Sequence, residues 1–460
     1  MRMADKKDSV LIIGGGTWGC SIALELARNG YGDVTVLDGE EVPSSIAAGN
    51  DLNKIMEEGS QSDDDTDAAY VWNRLHDLST AAWLNDPVYK TYYHRTGYVM
   101  AASSDGAYEA LLKDIRGHED EYQEVASAQQ FRDTMPEGVL TGGFEGWRGF
   151  AKPGGAGWVF ARGAIVAAKR EAERLGVQFI TGRGGLVTEL LFSDEGRGDE
   201  KAGDEKRGSL QGVKSADGAI HHAHTTVLAN GANADGLLDL EQQLRPTAWT
   251  LAHMEMKPEE AGLYRDLPVL FNIEKGFFME PSAETRELKI CDEHPGYINP
   301  GYRAPAPGEG APGRDDGVIV GSRPFARRQI PLEAEERVRA FLEETMPHLA
   351  ARPFSFARIC WDADTVDRMP LIDWYASGRG GRLLLAVGGS GHCFKTMPAM
   401  GRVVLDFLEG RVDDRTRRAF RWRPETAKDR NWWDVQGRWG AQGEVMDINK
   451  VRGWTTIGES

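Results

Sequence analysis

A mixed α/β fold that opens on a strand–helix–strand unit is predicted by three features at the start of the chain. Residues 9–13 form a short, β-rich apolar run that stops at Gly14-Gly15-Gly16. A helical pattern follows over residues 18–28, with Ile22, Leu24, Leu26 and Ala27 at its apolar positions. Residues 33–37 then read as a second buried strand, completing one βαβ unit.

The elements beyond follow from periodicity and breakers. The acidic stretch 57–67, with its DDDTD run, reads as a solvated loop before a helix over 68–84. Residues 158–175 read as a long amphipathic helix, followed by a strand at 177–181. Segment 193–209 has almost no apolar residue and is expected to be a hairpin tip. A strand at 225–228 runs out at Gly231, and the Pro- and Gly-rich segment 301–317 reads as a surface insertion. A late strand at 383–387 runs into Gly388-Gly389-Ser390-Gly391, before a helix over 398–409.

Composition excludes several classes of function. The chain has 460 residues, enough for two interleaved large domains or about three average ones. Its 71 acidic and 54 basic side chains give a net charge of −17. Such a surface repels nucleic acid and anionic lipid. The four cysteines (Cys20, Cys291, Cys360, Cys393) show no CxxC spacing, which suits a reducing compartment and argues against a zinc ribbon. His221, His222 and His224 form an HHAH run, read as a polar strand entry, so no metal site is expected. The apolar start is too short for a secretory signal, and no run is long enough to span a bilayer. The C-terminal peroxisomal tripeptide is absent. A cytoplasmic monomer is the default expectation.

Gly14-Gly15-Gly16-Thr17-Trp18-Gly19 matches GxGxxG between a strand and a helix, with Asp38 about twenty residues on. Gly14 allows the tight turn, Gly16 admits a pyrophosphate close to the backbone, and Gly19 lets helix and strand pack. The N–H groups at the helix start, around Thr17 and Trp18, face the diphosphate, and Asp38 accepts from the ribose hydroxyls. These residues imply an adenine dinucleotide and do not separate FAD from NAD.

That separation comes from strings spread along the chain: SVLIIGGGTWGCSIALELARNGY, AGNDLNKI, LRPTAWTL, FNIEKGFF, LKICDEHPGY, PFSFARICW, GHCFK and RNWWDVQGRWG. Through them the sequence resembles the FAD-dependent sarcosine/D-amino-acid oxidase superfamily, and within it the fungal fructosyl amino acid oxidases, or amadoriases. The resemblance implies a Rossmann-like FAD-binding domain interleaved with a large-mixed-sheet substrate domain, of the glutathione-reductase/amine-oxidase type. The implied FAD-binding segments are 1–58, 150–236 and 354–460; the substrate-binding segments are 59–149 and 237–353.

It also implies roles for particular residues. Lys289, in LKICDEHPGY, is similar to the family's oxygen-activating lysine, whose ammonium stabilises charge developing on O₂ in a dry site. Glu293 and Arg438 are similar to residues that meet the sugar of the substrate. Lys395 is similar to the lysine that pairs with the substrate carboxylate, and Lys54 is expected to face the flavin. These four cations (Lys54, Lys289, Lys395, Arg438) in an acidic protein would draw in an anionic amino acid. Gly391 belongs to the loop before a helix whose N-terminus favours reduced flavin. Cys360 is similar to the cysteine that bonds covalently to FAD. Relatives often carry a second cysteine two positions on, where this chain has Asp362; Cys393 replaces their glycine or serine. Arg116 is a further candidate for a distal carboxylate.

The implied activity is oxidation of fructosyl amino acids by O₂ to glucosone, free amino acid and H₂O₂. An alternative keeps the amine oxidation but takes N-methyl amino acids or a secondary-metabolite amine, with ring closure of an iminium. Two further readings are a catalytically silent flavin-binding protein and an NAD-dependent dehydrogenase. The partners expected are a small-molecule amine and O₂, with no nucleic acid and no membrane.

Overall fold

A computed structural model describes residues 4–59, 62–193, 209–303, 317–375, 382–438 and 442–457. Most of the segments 193–209 and 301–317 lies outside those residues, as do Trp439, Gly440 and the last three positions.

The βαβ unit forms as its sequence predicts. Strand Val10–Ile13 pairs in parallel with Val34–Leu37 on one side and Thr225–Leu228 on the other. Helix Thr17–Arg28 connects the first pair. The six-stranded sheet runs Leu371–Trp374, Leu383–Val387, Thr225–Leu228, Val10–Ile13, Val34–Leu37, Gln178–Ile180, with only the first strand antiparallel to its neighbour. The two-residue period of a strand sends Val10 and Ile12 to one face and Leu11 and Ile13 to the other. Helices Thr17–Arg28, Ala161–Arg174 and Met397–Leu408 cover the first face. A three-stranded sheet, Val187–Phe192, Leu210–Ser215 and Ile220–His221, covers the second. Both faces are therefore covered at the sheet's centre, which is why strand Val10–Ile13 is apolar throughout.

A second sheet of ten strands is built around Leu244–Glu255. That strand is antiparallel both to Glu287–Asp292 and to Phe356–Thr365. Ala252, Met254, Leu288, Ile290 and Ala357 point to one face, where helix Leu332–Thr345 seals them with Val338, Phe341 and Leu342. The intervening residues point to the opposite face, towards the parallel-sheet domain.

The structure changes two sequence expectations. Residues 158–175 are not one helix: Ala156–Val159 is a strand paired with Lys54–Glu57, and the helix is Ala161–Arg174. Apolar spacing carries the helical pattern back to Trp158, but the pairing of Trp158 with Ile55 and His94 decides its conformation. Helix Asp67–Asn85, capped by Thr66, packs Val71, Leu75 and Trp83 into the parallel-sheet core, although it lies within the 59–149 segment. Strand Phe356–Thr365 is likewise hydrogen-bonded into the large sheet, although it lies within 354–460.

Among the described residues no helix is long and apolar enough to cross a membrane, and no cluster of three or more His, Cys, Asp or Glu could hold a metal ion. His221, His222 and His224 lie near Ser215, Gln211 and Thr225 respectively.

Candidate active site

A cavity of about 670 Å³ runs along the ends of the parallel strands to the edge of the large sheet. Gly14, Gly16, Thr17, Trp18 and Asp38 line one end; Lys54, Asp362 and Gly391 line the other. The three fingerprint glycines are needed for three different reasons. Gly14 has φ +99°, and a Cβ there would stand 2.6 Å from the Asn230 Cα. A Cβ on Gly19 would stand 1.8 Å from the Gly14 carbonyl oxygen, so helix and strand could not approach. A Cβ on Gly16 would meet nothing within 4 Å, so the Gly16 backbone faces open cavity. The helix that starts there has no acidic residue in its first turn, so its positive end is uncompensated. Asp38 accepts from the Gly15 N–H at 2.8 Å and the Glu40 N–H at 3.0 Å. Burial raises its carboxyl above the ordinary range. Beside the cavity, Asn230 Oδ1 is buried with no hydrogen-bond partner among the described residues. An anion cradle, an orienting carboxylate and an unused acceptor fit the ADP half of a dinucleotide.

At the other end, strand alternation selects the functional side chains. Lys289 and Cys291 share the cavity-side face with His253 and Leu251, their partners in register. The next strand over contributes Arg358, Cys360, Asp362 and Asp364 to the same face. Lys289 is 1% exposed; its Nζ donates to Asp51 Oδ2 at 2.7 Å and to the Asn53 carbonyl at 2.8 Å. Lys54 Nζ reaches the same Asp51 oxygen at 2.8 Å. Burial alone would raise the Asp51 carboxyl, but Lys289, Lys54 and Arg358 hold it well below the usual range. Cys360 is buried against Leu251 and Cys291 beside the cavity wall. Burial raises its thiol, and Arg358 and Lys54 pull it back.

Arg438 is committed to protein partners. It grips Asp364 through two hydrogen bonds, of 3.0 and 2.7 Å, and donates to the Ser390 carbonyl at 2.7 Å. Its guanidinium also lies 4.9 Å from the centre of the Trp249 ring. Among the described residues, two of its five N–H bonds, on Nε and Nη1, have no acceptor. Glu293 is half-buried and has no hydrogen bond or ion pair among the described residues. Burial, with Asp292 adding to it, pushes its carboxyl up to about 8 against the pull of Arg438 and Arg368. That shift favours the protonated acid, which can both donate to and accept from hydroxyl groups.

The four cations do not act as one attracting charge. Lys54 and Lys289 share Asp51, and Arg438 has Asp364. Lys395 is half-buried and has no ion pair among the described residues. Its backbone carbonyl accepts from Trp83 Nε1 at 2.7 Å, and its charge opposes the burial that raises Asp114. Lys395 is thus the cation left to meet a substrate anion. Cys393 lines the cavity, its thiol pushed up to about 12 by burial, and Arg116 is exposed.

Sequence reasoning missed Asp51 and Asp364, the carboxylates on which these cations rest. Asp51 lies within the AGNDLNKI string, and Asp364 continues the alternation of Arg358, Cys360 and Asp362, so both had a signal.

Comparison with known proteins identifies the family. Residues 9–407 match the model of the FAD dependent oxidoreductase family (DAO). The fructosyl amine:oxygen oxidoreductase Amadoriase I of Aspergillus fumigatus is 48% identical, with a TM-score of 0.88 and both chains fully covered. The deglycating fructosamine oxidase Amadoriase II of the same fungus is 46% identical, with a TM-score of 0.89 and 99% of each chain covered. L-saccharopine oxidase of Schizosaccharomyces pombe is 25% identical over 92% of this chain and 95% of that protein. The chain belongs to the FAD dependent oxidoreductase family and, within it, to the amadoriases.

Proposed function

We propose that the protein removes sugar from fructosyl amino acids by oxidising their secondary amine with O₂, releasing glucosone, free amino acid and H₂O₂. The observation that carries this reading is that, among the described residues, Glu293 has no hydrogen bond or ion pair and a carboxyl pushed up to about 8, while Lys395 has no ion pair. One can bind sugar hydroxyls and the other an amino-acid carboxylate. FAD, when bound, accepts a hydrogen with its electron pair from the carbon next to nitrogen, and O₂ then takes the electrons.

The chain's own residues divide the remaining work. Gly14, Gly16, Thr17, Trp18, Gly19 and Asp38 hold the ADP moiety. Lys54 and Gly391 border the flavin, and Cys360 attaches to it covalently. Lys289, held in a dry site by Asp51 and Asn53, offers its ammonium to O₂ as charge develops there. Glu293 and Arg438 orient the sugar, and Lys395 holds the carboxylate. The protein acts as a cytoplasmic monomer.

A second reading, oxidation of an amine without sugar, is favoured by the likeness to L-saccharopine oxidase over nearly the whole chain. Anaerobic mixing of the yellow holoenzyme with Nε-fructosyl-lysine, fructosyl-valine and sarcosine separates the two. Bleaching by the glycated amines supports the first reading; bleaching by sarcosine alone overturns it.

A further inference from the structure

Asp362 is a charge the site has not yet used. It lines the cavity on the same sheet face as Cys360, half-buried, and among the described residues no group donates a hydrogen bond to it. Of the three cations around it, two are ion-paired elsewhere, and Arg368 donates to the Ser390 carbonyl at 3.5 Å. Lys54 is bound to Asp51, and Arg438 is bound to Asp364. A Cβ on Gly391 would stand 3.0 Å from Asp362 Oδ2 and 3.4 Å from Arg438 Nη2, so only glycine leaves that carboxylate open. An ionised carboxylate in a cavity wall with vacant lone pairs is costly unless a ligand donates to it.

The secondary amine of a glycated amino acid is largely an ammonium in neutral solution. An ammonium has no lone pair to support loss of hydride from the neighbouring carbon, so a proton must leave first. Burial pushes the Glu293 carboxyl up to about 8, which favours its protonated form and makes it the poorer acceptor near neutrality.

We propose that Asp362 accepts the proton of the substrate's secondary ammonium, a role that rests on the secondary-amine reading above. The N–H bond breaks with its electron pair kept by nitrogen, and an O–H bond forms on Asp362. The proton passes to solvent when the oxidised product leaves. The basicity of the group suits the task. Burial, then Asp364, raise Asp362 to about 6, while Lys54, Arg438 and Arg368 restrain it; Glu293, Cys360 and Cys393 are its other titratable neighbours. It is therefore ionised at pH 7 yet more basic than a free aspartate.

The test compares wild-type and Asp362→Asn holoenzyme in the pH profile of anaerobic flavin reduction. The substrate is whichever of Nε-fructosyl-lysine, fructosyl-valine and sarcosine reduces the wild type fastest. Binding of a fructosyl thioether, which has sulfur in place of nitrogen and no proton there, is titrated in parallel. We expect reduction by the variant to slow by about 10²–10⁴-fold at neutral pH. It should recover at alkaline pH, where the dissolved amine is itself neutral, and thioether affinity should not change. A loss of equal size at every pH, an unchanged profile, or an equal loss of thioether binding overturns the proposal. Should the Asn variant fail to fold, Asp362→Glu decides: it keeps the low-pH activity if a base is needed there, and loss of that activity overturns the proposal. A wild type reduced by none of the three amines fails the proposed function itself, and this inference falls with it.

Discussion

Lys289 Nζ stands 2.7 Å from Asp51 Oδ2 although 238 residues separate them in the chain. That contact joins the large sheet to the segment following the first βαβ unit, and Lys54 shares the same carboxylate. Replacing Asp51 by Asn leaves the buried Lys289 and the half-buried Lys54 without their shared counter-charge. We expect urea unfolding to show a loss of about 3–5 kcal/mol. The folded carboxyl lies below its unfolded value, so the contribution is present above about pH 4 and is lost as pH falls towards the folded value. An Asn variant as stable as wild type at pH 7 contradicts this.

Gly16 and Gly19 separate cofactor binding from folding. Gly19→Ala drives a Cβ into the Gly14 carbonyl and should lower both stability and FAD content. Gly16→Ala meets open space with an ordinary φ of −76°, so it should fold normally yet purify with little FAD. Thermal melting and the yellow colour of the purified variants measure the two effects.

Cys360 governs attachment of the cofactor. Acid precipitation of the wild type should leave the pellet yellow, and Cys360→Ser should release its FAD into the supernatant. A colourless wild-type pellet, or a yellow pellet from the Ser variant, contradicts the assignment.

Glu293 gives a pH signature. Its carboxyl titrates near 4.3 in the unfolded chain and at about 8 in the folded one, so folding takes up a proton between those values. Its contribution to stability is complete below about pH 4 and is lost as pH rises through about 8. Glu293→Gln keeps a neutral hydrogen-bonding group and should flatten that slope in pH-dependent melting. Glu293→Ala should weaken reduction by fructosyl-valine much more than Gln does, because the neutral acid and the amide both bind hydroxyls. Equal losses from the two substitutions contradict a neutral Glu293.

What could be read from the sequence was local or covered by long resembling strings. GGGTWG announces its turn and helix within six residues, and Lys289 and Glu293 both lie in the resembling string LKICDEHPGY, Lys289 within strand Glu287–Asp292 and Glu293 just past its end. Partnerships were hidden because they are non-local: nothing near Lys289 indicates Asp51, and nothing near Arg438 indicates Asp364. The environment of Glu293 was hidden for a related reason, since only the folded chain shows that it is half-buried and has no hydrogen bond among the described residues. Trp158 misled because apolar spacing cannot distinguish a helix start from a strand claimed by a distant partner, here Ile55.

The central claim is deglycation by oxidation, and its products test it most directly. Purified yellow protein should be incubated in air with Nε-fructosyl-lysine and fructosyl-valine while H₂O₂, glucosone and free amino acid are quantified. The three products should appear together in equal amounts from at least one of the two substrates. Absence of peroxide with both, or peroxide without glucosone, contradicts it.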